Sequence, residues 1–244
     1  SEISNSGEIL PFQSALALQC FTNEYVYNQN DIETQALGAL EASIEQVFLK
    51  GGQPSSQSIL CLASYKALHE YEWSELLTMT TGIEEVFTRQ VLEPKQEAQL
   101  KFDMPVLQKI ANKVSAKVRE QYEENPYPRW VNLRLRLDSA PIFKVIKELE
   151  LRLFDNTINH CEAPNILIAG CGTGQHSIGT ASRFKNSKVL AVDLSQSSLA
   201  YAKRKTEELG LQNIDYMQAD ILDLGKLDRK FDIIESVGVL HHMD

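Results

Sequence analysis

Asn165-Ile-Leu-Ile-Ala-Gly-Cys-Gly-Thr-Gly174, with Lys188-Val-Leu-Ala-Val-Asp193 behind it, reads as strand, glycine turn, helix and second strand. Asn165–Ala169 is a short apolar run of the kind a strand buried on both faces requires. It leads directly into Gly170-Cys-Gly-Thr-Gly174, where glycine permits a sharp turn and close approach of a ligand to the backbone. Residues 175–184 have room for a helix whose small residues, Ile178, Ala181 and Ser182, face a sheet. Asp193 ends the second strand 19 residues beyond Gly174, a position from which a carboxylate can accept hydrogen bonds from a ribose.

The glycine spacing excludes two common nucleotide loops. A dinucleotide fingerprint, G-x-G-x-x-G, requires a third glycine where this chain has Gln175 or, in the other frame, Ser177. No Lys followed by Ser or Thr closes the loop, so it is not a P-loop. G-x-G-x-G with an acidic residue on the next strand suits a nucleoside ligand that lacks a pyrophosphate.

The elements that follow extend the pattern. Ser195 is a suitable N-cap for a helix over 196–209, with Gly210 just past its end. Ile214–Ala219 and Phe231–Ser236 read as a third and fourth strand, the former ending at Asp220. Asp193, Asp220 and Glu235 thus fall at or near three strand ends, where open α/β sheets hold ligands.

From about Asn165 to Met243 the chain resembles the class I S-adenosylmethionine-dependent methyltransferases. The resemblance is carried by Ala169-Gly-Cys-Gly-Thr-Gly174, Val192-Asp-Leu-Ser195, Gln218-Ala-Asp-Ile-Leu222 and Phe231-Asp-Ile-Ile-Glu235 running into Gly238-Val-Leu-His-His242. It implies that S-adenosyl-L-methionine is the cofactor and that Gly170, Gly172 and Gly174 pass beneath its amino-acid portion. It further implies Asp193 on the ribose hydroxyls, Asp220 on the adenine amino group with Ile221 beside the ring, and Glu235 near the methionine end. Tyr122-Glu-Glu-Asn-Pro-Tyr-Pro-Arg-Trp130 resembles a segment that precedes this domain in a bacterial subgroup, sometimes joined to tetratricopeptide repeats. No period of about 34 residues is visible here.

The expected fold is α/β: a Rossmann-like methyltransferase sheet over 131–244, preceded by a mostly helical domain over 1–130 with a substrate or interaction role. In the N-terminal part, Asp31 is expected to cap a helix running to Lys50, and Glu93-Pro94 to break the helical pattern. The strongest helical pattern there runs from Val106 to Glu124, with Ile110, Val114, Val118 and Tyr122 recurring every four residues. Pro126 and Pro128 then stop it. Leu133, Leu135 and Leu137 alternate with Arg134 and Arg136 as in an extended segment joining the domains. Phe12, Phe21, Tyr65 and Trp73 read as core aromatics.

At 244 residues and a formal charge of -9, the chain has ordinary soluble composition and little nonspecific attraction for nucleic acid or anionic membrane. Cys20, Cys61, Cys161 and Cys171 show neither paired nor metal spacing. With no apolar run of membrane-spanning length and no signal segment, the expected location is cytoplasmic.

Methyl transfer from a sulfonium needs an acceptor held in line and, for some acceptors, a base. His241, His242 and Tyr127 are the candidates, and no metal is expected. The competing functions are a nucleotide-dependent oxidoreductase, opposed by Gln175 and Ser177, and a regulatory protein that binds the cofactor without turnover. The acceptor is unidentified. The last strand pattern stops close to Asp244, so the domain is expected to be truncated after its fourth strand. A homodimer or a covering helix would protect the resulting edge.

Overall fold

The computed structural model describes residues 6–124, 126–135 and 138–240. The chain divides into two units, residues 1–96 and 97–244. A mostly helical N-terminal region is followed by a four-stranded parallel sheet of the Rossmann-like kind.

The first unit carries α1 (Ser6–Thr22), α2 (Asp31–Leu49), α3 (Ser56–Ala63) and α4 (Glu84–Phe87). Asn30 rather than Asp31 caps α2: its side chain accepts from Glu33 N–H, and Glu33 returns a bond to Asn30 N–H. Ile44, Ile59, Leu60, Leu62 and Leu68 form the core, with Phe48, Trp73 and Tyr71 stacked on one another. Gln90, fully buried, bonds the Leu68 N–H and the Ala17 and Ala63 carbonyls, so its amide is satisfied on both ends. Phe21 and Trp73 are buried as expected, but Phe12 is exposed.

Pro94 does not end the helical run as its sequence suggested. A π-helical turn over Thr88–Leu92 precedes α5 (Glu93–Phe102), placing the proline in the first turn of a new helix, where its missing N–H costs least. The division between the units falls within α5.

The second unit therefore includes residues 97–130, which the sequence pattern grouped with the N-terminal helices. Backbone bonds explain the difference. Leu107 N–H donates to Gln218 O at 2.9 Å and Gln218 N–H donates to Pro105 O at 2.7 Å, so this segment extends the sheet locally. Helix α6 (Lys113–Glu124) accordingly starts later than Val106: Asn112 Oδ1 accepts from Val114 and Ser115 N–H and caps it. The apolar row Val114, Val118 and Tyr122 faces outward, while Ser115 is buried.

Helix α7 (Ile142–Glu148) follows Pro141. The sheet then forms as β1 (Asn165–Ala169), α8 (Gln175–Arg183), β2 (Lys188–Asp193), α9 (Gln196–Glu208), β3 (Ile214–Gln218) and β4 (Ile233–Glu235). Strand order is β3-β2-β1-β4, all parallel. Ile166, Ile168, Val189 and Ala191 pack under α8 and α9 through Ala181, Leu199 and Ala202. Leu167, Leu190 and Val192 fill the opposite face with Ala219. Leu133 and Leu135 are not in a strand; they pack beside Trp130, Ile178 and Tyr201. Arg136 and Leu137 lie outside the described residues. Among the described residues no helix is long and apolar enough to cross a membrane.

Candidate functional site

Parallel strands bring the loops after β1, β2 and β3 and the last residue of β4 to one end of the sheet, with the strand order reversing between β1 and β4. Gly170–Gly174, Asp193, Asp220 with Ile221, and Glu235 all lie along that end.

The three glycines have different tasks. All have positive φ, 81°, 51° and 87° in order. A Cβ at Gly170 would lie 2.3 Å from Val239 Cγ2, and one at Gly174 would lie 2.5 Å from Ala202 Cβ on α9. Those two positions are glycine because the fold closes around them. A Cβ at Gly172 would meet nothing within 4 Å, so only this glycine leaves open space above the backbone.

Asp193 joins the first two loops. Its Oδ2 accepts from Gly172 N–H at 2.8 Å and its Oδ1 from Ser195 N–H at 3.0 Å. Burial pushes its pKa above the usual carboxylate value, the backbone donors at Ser195 and Gly172 pull the other way, and the charge of Glu123 adds to the rise. Two oxygens offer about four acceptor positions, so the side chain retains capacity after these two bonds.

Asp220 is buried at 3 % exposure. Its Oδ1 accepts from Leu222 N–H at 3.0 Å, capping the turn Ile221–Lys226. Oδ2 has no hydrogen-bond partner among the described residues. A buried carboxylate oxygen without a donor costs free energy, which a donor N–H reaching it would recover.

Glu235 holds β4 to α8. His176 Nε2 lies 2.8 Å from Oε2 and Thr180 Oγ1 donates to the same oxygen at 2.7 Å. Burial raises the Glu235 pKa, but the His176 and Thr180 hydrogen bonds outweigh it and hold the carboxyl below its ordinary value. His176, two residues beyond Gly174 in the first turn of α8, was not singled out in the sequence, although a histidine that close to a glycine turn is a usable signal.

The segment ahead of the sheet also reaches these loops. Glu123 accepts from Gln196 and Ser197 N–H, at 2.9 and 3.1 Å, at the start of α9. Trp130, buried, donates from Nε1 to Thr173 O at 3.0 Å, and Thr173 Oγ1 donates to Pro128 O at 2.8 Å. Nothing in the sequence announced the Glu123 contact, which spans 73 residues. Tyr127 is 70 % exposed, and its peptide bond to Pro128 is cis. His241 and His242 lie outside the described residues.

Residues 166–244 match a protein family described as "Methyltransferase domain". The chain is 37% identical over 82 residues to an uncharacterized Synechococcus protein, covering 33% of this chain and 20% of the other. It is 32% identical over 77 residues to a release factor glutamine methyltransferase of Fusobacterium nucleatum, covering 31% and 21%. The chain thus spans about a fifth of the length of the curated relatives it matches. Among solved structures, PKMT2 of Rickettsia typhi in complex with AdoHcy is 32% identical over 32% of this chain and 15% of that one, with a TM-score of 0.30. The matched stretch, 166–244, carries the glycine turn and all three strand-end carboxylates, so the similarity to a methyltransferase domain falls on the site itself.

Proposed function

We propose that this protein binds S-adenosyl-L-methionine at the strand ends and transfers its methyl group to an unidentified acceptor. The observation that carries the reading is Asp220 Oδ2, a buried carboxylate oxygen that lacks a donor among the described residues, at the same end of the sheet as the glycine turn. The exocyclic amino group of adenine supplies such a donor. Asp193 retains acceptor capacity for two ribose hydroxyls after its bonds to Gly172 and Ser195. Gly172 leaves the backbone open where the amino-acid portion would lie, with Gly170 and Gly174 shaping the turn on either side. Ile221 would flank the ring and Glu235 the methionine end. Placement in the bacterial subgroup noted above rests on the Tyr122–Trp130 segment.

When bound, the cofactor supplies a methyl group already made electrophilic by its sulfonium. The chain's contribution is to hold both partners in one orientation, an effect worth up to roughly 7–11 kcal/mol in well-ordered cases. Asp193 and Asp220 fix the nucleoside, Tyr127, exposed in the segment that reaches the glycine turn, is assigned to the acceptor, and His241 and His242 are kept as candidate bases.

The oxidoreductase reading has less support. Ser177 is buried and donates to Gly174 O at 3.0 Å, filling the place where a third glycine would admit a pyrophosphate helix. Calorimetry tests the choice. S-adenosylhomocysteine is expected to bind and NAD to give no heat beyond dilution; the reverse result would remove the methyltransferase reading. Transfer of radiolabelled methyl groups into separated fractions of a cell extract then identifies the acceptor class.

A further inference from the structure

We infer that Glu123 and Trp130 are positioning residues of the cofactor site, although both lie outside the matched stretch 166–244. The inference rests on the ligand proposed above.

The segment 122–130 is fastened at one end to the loop that carries Asp193. Helix α9 begins three residues after Asp193, and the first N–H groups of a helix have no partner within it. Here three are taken. Gln196 and Ser197 donate to the two carboxylate oxygens of Glu123, and Ser198 donates to Ser195 Oγ at 3.0 Å. Ser195 in turn donates its hydroxyl to Tyr122 O at 2.9 Å while its N–H holds Asp193 Oδ1. Lys101 Nζ, 2.8 Å from Glu123 Oε2, offsets the carboxylate charge. One side chain from α6 therefore sets where α9 starts, and the same loop sets where Asp193 points.

At its other end the segment is fastened to the glycine turn. Trp130 Nε1 donates to Thr173 O, Thr173 Oγ1 donates to Pro128 O, and Tyr201 on α9 donates its hydroxyl to Trp130 O. Thr173 is 2 % exposed and sits between Gly172 and Gly174. The two fastenings thus grip the two loops that Gly172 N–H and Asp193 Oδ2 join directly. Loosening either should allow that joint to shift. Shifts of about an ångström in a positioning contact are enough to matter in ligand alignment.

The test uses the full chain with Glu123→Ala, Glu123→Gln and Trp130→Phe. The first readout is amide exchange without ligand. Each of Glu123→Ala and Trp130→Phe is expected to speed exchange at Gly172 tenfold or more, although neither residue bonds that amide. Exchange at Ile166–Ile168 in the middle strand is expected to stay unchanged, which separates a local effect from general destabilisation. The second readout is the calorimetric Kd for S-adenosylhomocysteine, expected to rise at least fivefold in both variants and to recover partly in Glu123→Gln, whose amide oxygen can still accept one N–H. Folded variants with wild-type Gly172 exchange and wild-type Kd would overturn the inference. If the unaltered chain binds no S-adenosylhomocysteine, the proposed function fails, and the exchange readout alone decides the positioning role.

Discussion

Asp193 Oδ2 accepts the Gly172 N–H at 2.8 Å, so the carboxylate proposed for the ribose also closes the glycine turn. Removing it should act twice. Asp193→Ala is expected to weaken S-adenosylhomocysteine binding by about 1.5–3 kcal/mol, the range for hydrogen bonds to a charged group. Affinity should also depend on acidity. Because burial raises the Asp193 pKa, the ionised form needed to accept two hydroxyls is lost earlier on acidification than for an ordinary aspartate. Kd measured from neutral pH downward should rise through that raised pKa, with proton release on binding in the same window. A folded Asp193→Ala with unchanged Kd would remove Asp193 from the site.

Glu235 and His176 tie β4 to α8, and the Glu235 carboxyl is shifted in the opposite direction to that of Asp193. The Glu235 pKa lies below 4.5, its ordinary value, because the His176 and Thr180 bonds overcome burial. Its stabilisation is therefore complete above that value and is lost as pH falls through the depressed folded pKa. Glu123 shifts in the same direction, burial again opposing it while Lys101, Ser197 and Gln196 prevail. Thermal melts should show Glu235→Gln less stable than the unaltered chain at neutral pH, with the gap narrowing in acid below about 4.5. A gap that is constant with pH would show that the pair carries no ionic component.

Asp220 Oδ2, buried without a donor, makes a sharper test of the ligand. Asp220→Asn keeps the shape and can retain the Leu222 cap through its amide oxygen. It removes a buried charge and turns the free position into a donor. The folded chain should melt no lower than the original, whereas affinity for S-adenosylhomocysteine should fall by about 1–3 kcal/mol, an adenine amino group now facing another donor. An inosine analogue, which presents a carbonyl there, should reverse the preference. Equal affinity for both nucleosides in both proteins would exclude Asp220 from base recognition.

Strands and loops were legible in the sequence because each has a local cause. Apolar runs of five or six residues bounded by glycine or aspartate permit little else, and β1 runs Asn165–Ala169 as read. Ser195 and Gly210 announced both ends of α9, and the structure uses each, the serine as N-cap and the glycine at φ 70°. Long-range partners were not legible. The apolar row Val114, Val118, Tyr122 predicted a buried face, yet α6 turns that row outward because Glu123 and Ser195 anchor its other side to α9. Pro105 and Asn112 held the signal for the late start of α6, which apolar spacing alone concealed. The orphaned oxygen of Asp220 has no sequence signature, since it depends on what fails to reach it.

The glycine turn separates fold from function within three residues. Gly174→Ala places a Cβ 2.5 Å from Ala202 Cβ on α9 at φ 87°, so overpacking of about 1–3 kcal/mol adds to roughly 1–2 kcal/mol for a left-handed backbone. Gly172→Ala meets nothing within 4 Å and has φ 51°, leaving only the backbone cost of about 1–2 kcal/mol. Gly174→Ala should therefore melt well below the unaltered chain, whether or not ligand is present. Gly172→Ala should stay folded at 25 °C while its new methyl group occupies the open space proposed for the cofactor. Melting temperature and calorimetric Kd, measured on both variants, distinguish the two tasks. If Gly172→Ala binds S-adenosylhomocysteine as the original does, the ligand does not lie against this backbone, and the space above Gly172 belongs to solvent.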